Sequence, residues 1–218
     1  MEEKLIENCF GERFIGSGAK NSKITIHGTP GNALGCYLDG SEITVYGNAQ
    51  DAVGDTMNEG RIVVHGNAGD ALGYAMRGGK IFIRGNSGYR SGIHMKEYKD
   101  KKPVIVIGGS AGCFLGEYLA GGLIIVLGID SEGIPIGDFA GTGMHGGKIF
   151  IRSSAKLPPL PKQVVISDAS EDDLSEISPF ILEHAGYFGL NSEKLIKDKF
   201  YVLKPNAKNP YKQLYTAN

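Results

Sequence analysis

Short runs that alternate between aliphatic and mixed positions return at nearly constant spacing along the first 150 residues. KITI from Lys23, EITV from Glu42, RIVV from Arg61 and KIFI from Lys80 are the clearest, followed by VIVI from Val104, LIIV from Leu123 and KIFI from Lys148. Such alternation predicts β-strands with one apolar face. Aligned, the runs give two inward columns, Ile24, Ile43, Ile62, Ile81, Val104, Ile124, Ile149 and Ile26, Val45, Val64, Ile83, Val106, Val126, Ile151. A third apolar column, Leu38, Met57, Met76, Met95, Leu119, Met144, precedes a paired-glycine corner.

The spacing is a repeat. Consecutive 19-residue blocks start at Gly28, Gly47 and Gly66; a block from Gly85 has 23 residues with an insertion around Lys96 to Lys102, and blocks of 20 and 25 residues start at Gly108 and Gly128. A unit this small cannot bury both sides of its own strand, but it can coil once and offer its backbone groups to the next coil. The fold expected is all-β: a single-stranded parallel β-helix of about seven coils, with rungs about 4.8 Å apart. Its axis is expected to be closed by stacked Ile, Val and Met. The corners account for 33 glycines in 218 residues, about twice ordinary usage. Gly47-Asn48, Gly66-Asn67 and Gly85-Asn86 mark one corner, Gly78-Gly79, Gly121-Gly122 and Gly146-Gly147 another. Bends there call for positive φ, open to Gly and tolerated by Asn, and Gly66→Val is expected to disrupt its rung.

Outside the repeats the pattern changes. Residues 1–23 are a candidate N-terminal cap, and the proline-rich stretch at Leu157 to Pro161 is a stiff linker that no helix incorporates. The division expected is a solenoid over 1–157 and a helical and extended appendage over 158–218 that caps it. Within the appendage, Ser170 to Asp173 reads as a capping box, and Ser178-Pro179 as a helix restart with Ile181, Leu182 and Ala185 inward and a stop at Gly186. A short helix near Ser192 to Lys197 leads to an extended Phe200 to Leu203. The acidic stretch from Asp168 to Glu176 reads as a solvated helix start.

Composition narrows the function. With 23 Lys+Arg against 24 Asp+Glu, no global field attracts nucleic acid or an anionic membrane. No apolar run approaches the roughly 20 residues of a membrane helix, and the N-terminus is not a secretory signal, so a cytoplasmic protein is expected. Cys9, Cys36 and Cys113 form no C-x-x-C pair and read as reduced structural thiols. Val104 to Gly112 imitates a strand entering a dinucleotide-binding turn, but Ser110 and Cys113 stand where glycines are required. His27, Tyr46, His65 and Arg84 share an outward column, with the two histidines about 10 Å apart by rung spacing, too far to ligate one metal. No catalytic, cofactor-binding or metal-ligating residue is assigned.

The G-x-x-G-x-x-x-G blocks that end in paired glycine and a strand, above all GCFLGEYLAGGLIIVLG from Gly112 and GDFAGTGMHGGKIFIR from Gly137, resemble the GXGXG domain at the C-terminus of the glutamate synthase large subunit. His184, Tyr187, Gly189, Phe200 and Pro205 echo the spacing of that family's closing segment. The resemblance implies a right-handed β-helix and a non-catalytic structural subunit of a multi-subunit glutamate synthase, converting glutamine and 2-oxoglutarate to glutamate. It implies as partners a glutaminase subunit and an FMN-containing synthase subunit, with FMN and iron-sulfur clusters on those partners and none here, and leaves room for a homo-oligomer. Scaffold subunits of formylmethanofuran dehydrogenase and of N-methylglutamate synthase are similar and give the alternative reading; a carbohydrate-active β-helix is the rival of another class.

Overall fold

A strand with one apolar face gains little alone, because its partner must supply both hydrogen bonds and a matching face. In the computed structural model, which describes residues 2–206, the partner is the next block of the same sequence. Strands β1 (Glu2–Phe10), β2 (Ser22–Thr29), β3 (Asp39–Tyr46), β4 (Glu59–Val64), β5 (Lys80–Ile83), β6 (Val104–Ile107), β7 (Ala120–Val126) and β8 (Gly146–Arg152) pair in sequence order. Each adjacent pair is parallel, so the chain is a parallel β-solenoid. Residues assigned from sequence to the N-terminal cap supply β1 as a further rung on β2.

Like stacks on like through most of the solenoid. Ile24 pairs with Ile43, Ile43 with Ile62, Ile62 with Ile81 and Ile124 with Ile149. One rung departs from the columns expected. Ile81 pairs with Ile105, 24 residues on, and Ile105 with Ile124, 19 residues on. The inward residues of β6 are therefore Ile105 and Ile107, whereas Val104 and Val106 point outward. A one-residue slip exchanges the two faces of a strand, and VIVI, buried at all four positions, has no alternation to fix its register.

Opposite the strands, each coil runs through turns in which alternate residues have positive φ: Ala52, Gly54 and Thr56 in one coil, Phe114, Gly116 and Tyr118 in a later one. The middle residue of each set faces the isoleucine column. At Gly116, φ is +63° and an added Cβ would lie 2.6 Å from Cδ1 of Ile149. Between strand and turn the interior is filled by Leu34, Val53, Leu72 and Leu115 and by the Leu/Met column of the sequence, all in one continuous apolar cluster.

The Gly-Asn corner works differently from the expectation. Of the three corner glycines Gly47 has the positive φ expected, +155°, but Gly66 and Gly85 do not; a Cβ at Gly66 would overlap Oδ1 of Asn48 and come within 2.6 Å of the Gly47 carbonyl oxygen. Asn48, Asn67 and Asn86 do not take positive φ either. Their side-chain oxygens accept from the backbone N–H of Asn67, Asn86 and Ser110 on the next coil, at 2.8, 2.7 and 2.7 Å. Asp51 and Asp70 do the same for Asp70 and Tyr89, at 2.9 and 2.8 Å. Asparagine is placed there as an acceptor, and glycine because the ladder leaves no room for a side chain.

After β9 (Val164–Asp168), α1 (Glu171–Phe188) and α2 (Ser192–Lys197), β10 (Phe200–Pro205) lies antiparallel to both β8 and β9. The capping box is formed, Ser170 Oγ accepting from the Asp173 N–H. The helix does not restart at Pro179; it is continuous, with Ser178 Oγ donating to the Leu174 carbonyl at 2.6 Å. It ends at Gly189, not Gly186, in the left-handed conformation. Leu182 faces outward, 60% exposed, while Ile177, Ile181, His184 and Ala185 are buried.

Gly116→Ala is expected to lower the unfolding free energy by about 2–4 kcal/mol, combining left-handed strain with overpacking. Ile149→Val removes the Cδ1 that the new methyl would meet, so the double variant should lose less than the two single losses added together. Urea unfolding of the four proteins measures the coupling.

Candidate functional site

The outward face of the strands is not uniform, and its change of character decides where other elements bind. One register column reads Thr25, Thr44, Val63, Phe82, Val106, Ile125, Phe150, polar in β2 and β3 and apolar from β4 onward. Helix α1 covers the apolar part, with Ile177 and Ile181 packed among Val63, Phe82, Val106, Ile125 and Phe150. It runs against the order of the coils. Asp173 pairs with Lys148 of β8 at 2.9 Å, Glu176 with Lys148 at 2.8 Å and Lys102 at 2.6 Å, and Glu183 with Lys80 of β5 at 2.6 Å and Arg61 of β4 at 3.4 Å. The acidic stretch thus reads less as a solvated helix start than as one side of an ion-pair row. Asp173 is 5% exposed; it also takes Lys204 at 3.1 Å. Burial acts against its ionisation, yet hydrogen bonds from Lys148, Lys204 and Ser170 hold it well below the usual carboxylate range.

At the centre of this contact His184 is fully buried, with Nε2 3.0 Å from the Ile83 carbonyl oxygen. That bond makes Nε2 the donor and leaves Nδ1 a bare acceptor, which has no hydrogen-bond partner among the described residues. Burial, with the Arg84 charge adding to it, pushes the imidazole down to about 4, against the Ile83 bond that favours its charged form. Sequence reading gave His184 only a place in a family spacing. The signal that locates it is the Thr-to-Val switch on the outer face.

The outward column of His27, Tyr46, His65 and Arg84 becomes a ring ladder. Tyr46 stacks between His27 and His65 at 4.9 and 4.5 Å, and Phe188 of α1 meets His65 edge-on at 5.1 Å. A tyrosine ring therefore separates the two histidines, so they share no ligand. Among the described residues no group of three or more His, Cys, Asp or Glu could hold a metal ion. The Cys9 thiol donates to Glu12 at 3.1 Å and is pushed up to about 11 by burial and by that carboxylate, far from a reactive thiolate.

The turn after β6 resembles a phosphate loop in sequence alone. The amides of Gly108, Gly109, Ser110, Ala111 and Gly112 all donate within the solenoid, to Ile83, Gly85, Asn86, Pro135 and Ser87. None is left to cradle a phosphate. Beside it lies a cleft of about 400 Å³. There Ser110 and Ser131 are hydrogen-bonded to each other at 2.6 Å, and no histidine or lysine lines the cleft to activate either. No helix among the described residues is long and apolar enough to cross a membrane.

The model of a known sequence family, the GXGXG motif, matches residues 4–209. The chain belongs to the GXGXG family. That is the family of the C-terminal domain of glutamate synthase. An uncharacterized protein of Methanocaldococcus jannaschii, MJ1350, is 46% identical over 227 residues, spanning all of this chain and 87% of that protein. Within this GXGXG solenoid some glycines pack against the isoleucine column, as Gly116 does against Ile149, and others lie under the Asn ladder, as Gly66 does beneath Asn48.

His184 has a folded-state pKa below its unfolded value, so the unfolded chain binds more protons between those values. Its contribution is complete above about pH 6.5 and is lost as pH falls toward 4. The loss is on the order of 3 kcal/mol. His65, lowered by burial, adds with the same sign. His184→Gln, which can still donate to Ile83, should flatten most of this slope in urea midpoints measured from pH 7 to 4.

Proposed function

We propose that this GXGXG solenoid is a non-catalytic structural subunit of a cytoplasmic glutamate synthase-type complex. It would stand between a glutaminase subunit and an FMN-containing synthase subunit, with FMN and iron-sulfur clusters carried by the partners. The observation that carries the reading is the family match over nearly the whole chain. Supporting it, the interior between strand and turn is filled by one apolar cluster.

What such a body contributes is position. Ammonia released from glutamine must reach 2-oxoglutarate without escaping, and a rigid scaffold lowers the entropic cost of keeping two active sites in register. A solenoid held at every rung by in-register hydrogen bonds suits that task, and the filled axis directs any ammonia path along its flank.

Co-expression with glutaminase and FMN synthase subunits of the same organism tests the reading. A three-part complex should make glutamate from glutamine and 2-oxoglutarate, and leaving out this chain should abolish the coupled reaction. The isolated chain should show neither glutaminase nor reductase activity. Turnover by the isolated chain, or full coupling without it, would overturn the assignment.

A further inference from the structure

An open sheet ends in two strands whose outer backbone groups have no partner, and proteins ordinarily blunt such edges with charge, bulges or inward-pointing lysine. Here the two end strands are β1 and β9. The β1 edge is blunted in all three ways: Lys4 stands in the inward column opposite Ile24, the register breaks between Ile6 and Cys9, and Glu2, Glu3 and Glu7 line the strand. The β9 edge is not. Val164 to Ser167 carries no charge and no proline, its register against β10 is unbroken, and Val165 and Ile166 are 47% and 37% exposed.

Hydrogen bonds at the two ends of β9 show which of its backbone groups are left over. Asn206 N–H donates to the Gln163 carbonyl at 2.7 Å and Ala169 N–H to the Phe200 carbonyl at 2.9 Å. Residues bonded to one neighbour alternate along an antiparallel strand, so Gln163, Val165, Ser167 and Ala169 turn to β10, whereas Val164, Ile166 and Asp168 turn to the open edge. The Val164 N–H is taken by the Pro161 carbonyl at 2.9 Å. The Val164 carbonyl and both backbone groups of Ile166 and Asp168 remain for a further strand.

The sequence of this edge is complementary to itself. Residues 162–168 read Lys, Gln, Val, Val, Ile, Ser, Asp. Laid antiparallel on a second copy about Val165, they set Lys162 against Asp168, Gln163 against Ser167 and Val164 against Ile166, with Val165 facing itself. Lys162 is exposed and joins no ion pair among the described residues. Asp168 holds Lys199 through Oδ1 at 3.0 Å, with its side chain 69% exposed, and can take a second cation. The same register meets the backbone: Ile166 N–H reaches the Val164 carbonyl of the second copy and Asp168 N–H its Lys162 carbonyl, each twice by symmetry. A slip of one residue would oppose outward groups to groups turned to β10. Centring on Ile166 instead would set Asp168 against Val164.

We propose that β9 is the interface of a two-fold dimer of this chain, in which the β9 strands of two copies pair antiparallel about Val165 and one sheet runs through both molecules. Strand addition of this kind draws affinity from main-chain bonds and specificity from the side chains opposed across it, and a self-complementary patch is what a closed two-fold contact requires. Ile166, beside the buried Leu203, gains cover from Val164 of the second copy. The proposal does not depend on the subunit reading above.

Sedimentation of the purified full-length chain over a range of concentrations tests it, with three variants: Val165→Lys, Lys162→Asp and Lys162→Asp/Asp168→Lys. The wild type should be a dimer that dissociates on dilution. Val165→Lys opposes two lysines at the symmetry axis and should leave only monomer. Lys162→Asp opposes carboxylate to carboxylate and should weaken the dimer about ten-fold or more, and the double variant, which exchanges the two charges, should restore it. Matching circular dichroism of the four proteins guards against misfolding, and a variant that fails to fold is replaced by Ile166→Lys, read the same way. A wild type that is monomeric throughout, whether the edge stays bare or is taken by residues 207–218, overturns the proposal. A dimer indifferent to Val165→Lys and Lys162→Asp overturns it in favour of another face, and failure of the charge exchange to restore pairing overturns the register proposed.

Discussion

A coil of about 19 residues is so narrow that the backbone of its turn side lies against the side chains of its strand side. That apposition, glycine against isoleucine from Gly16 and Ile43 to Gly116 and Ile149, is what the rest of the structure depends on. It fixes the position of the middle glycine, forces the turn into alternating left-handed residues, and sets the width that the Leu/Met column must fill. Once one coil has this section the next must match it, because its amides bond to the carbonyls above and below: Gly54 donates to Leu34 of the preceding coil, Ala52 to Asp70 of the following one. Identical side chains at one period are the consequence of identical cross-sections.

Much of this was legible in the sequence because the repeat is both chemical and metrical. Period, parallel stacking, the Leu/Met column and the positive φ at Gly79, Gly122 and Gly147 follow from aligned blocks. Legibility failed where a local signal is degenerate. VIVI offers no alternation, and the insertion before it hides the missing residue of register. Asparagine at a corner satisfies two readings, a left-handed residue or a ladder acceptor, and only the position of the next coil's N–H decides between them. Pro179 sits in a helix whose docking on the strands outweighs the loss of one hydrogen bond, a tertiary effect that local sequence does not carry. The candidate surfaces were the least legible. Stacking of His27, Tyr46 and His65 needs only the repeat, whereas the buried site of His184 requires knowing that α1 folds back over β4 to β8.

The two long sides of the solenoid therefore have different duties. The strand side is occupied: its apolar column is sealed by α1, and the ion pairs along it hold the helix in one direction. The turn side keeps exposed rings along its length, from Phe14 and Tyr37 in the first coils to Tyr118 and Phe139 in the last.

Helix α1 also alters how the molecule comes apart. A repeat array whose units touch only their neighbours frays from either terminus with equal ease. Here one helix is fastened to β4, β5 and β8 together by Arg61, Lys80 and Lys148, so those rungs must open as one cooperative block. The rungs β1 to β3 lie beyond its reach and are free to peel singly, which gives the rod a direction of unravelling that its repeating backbone alone would not possess.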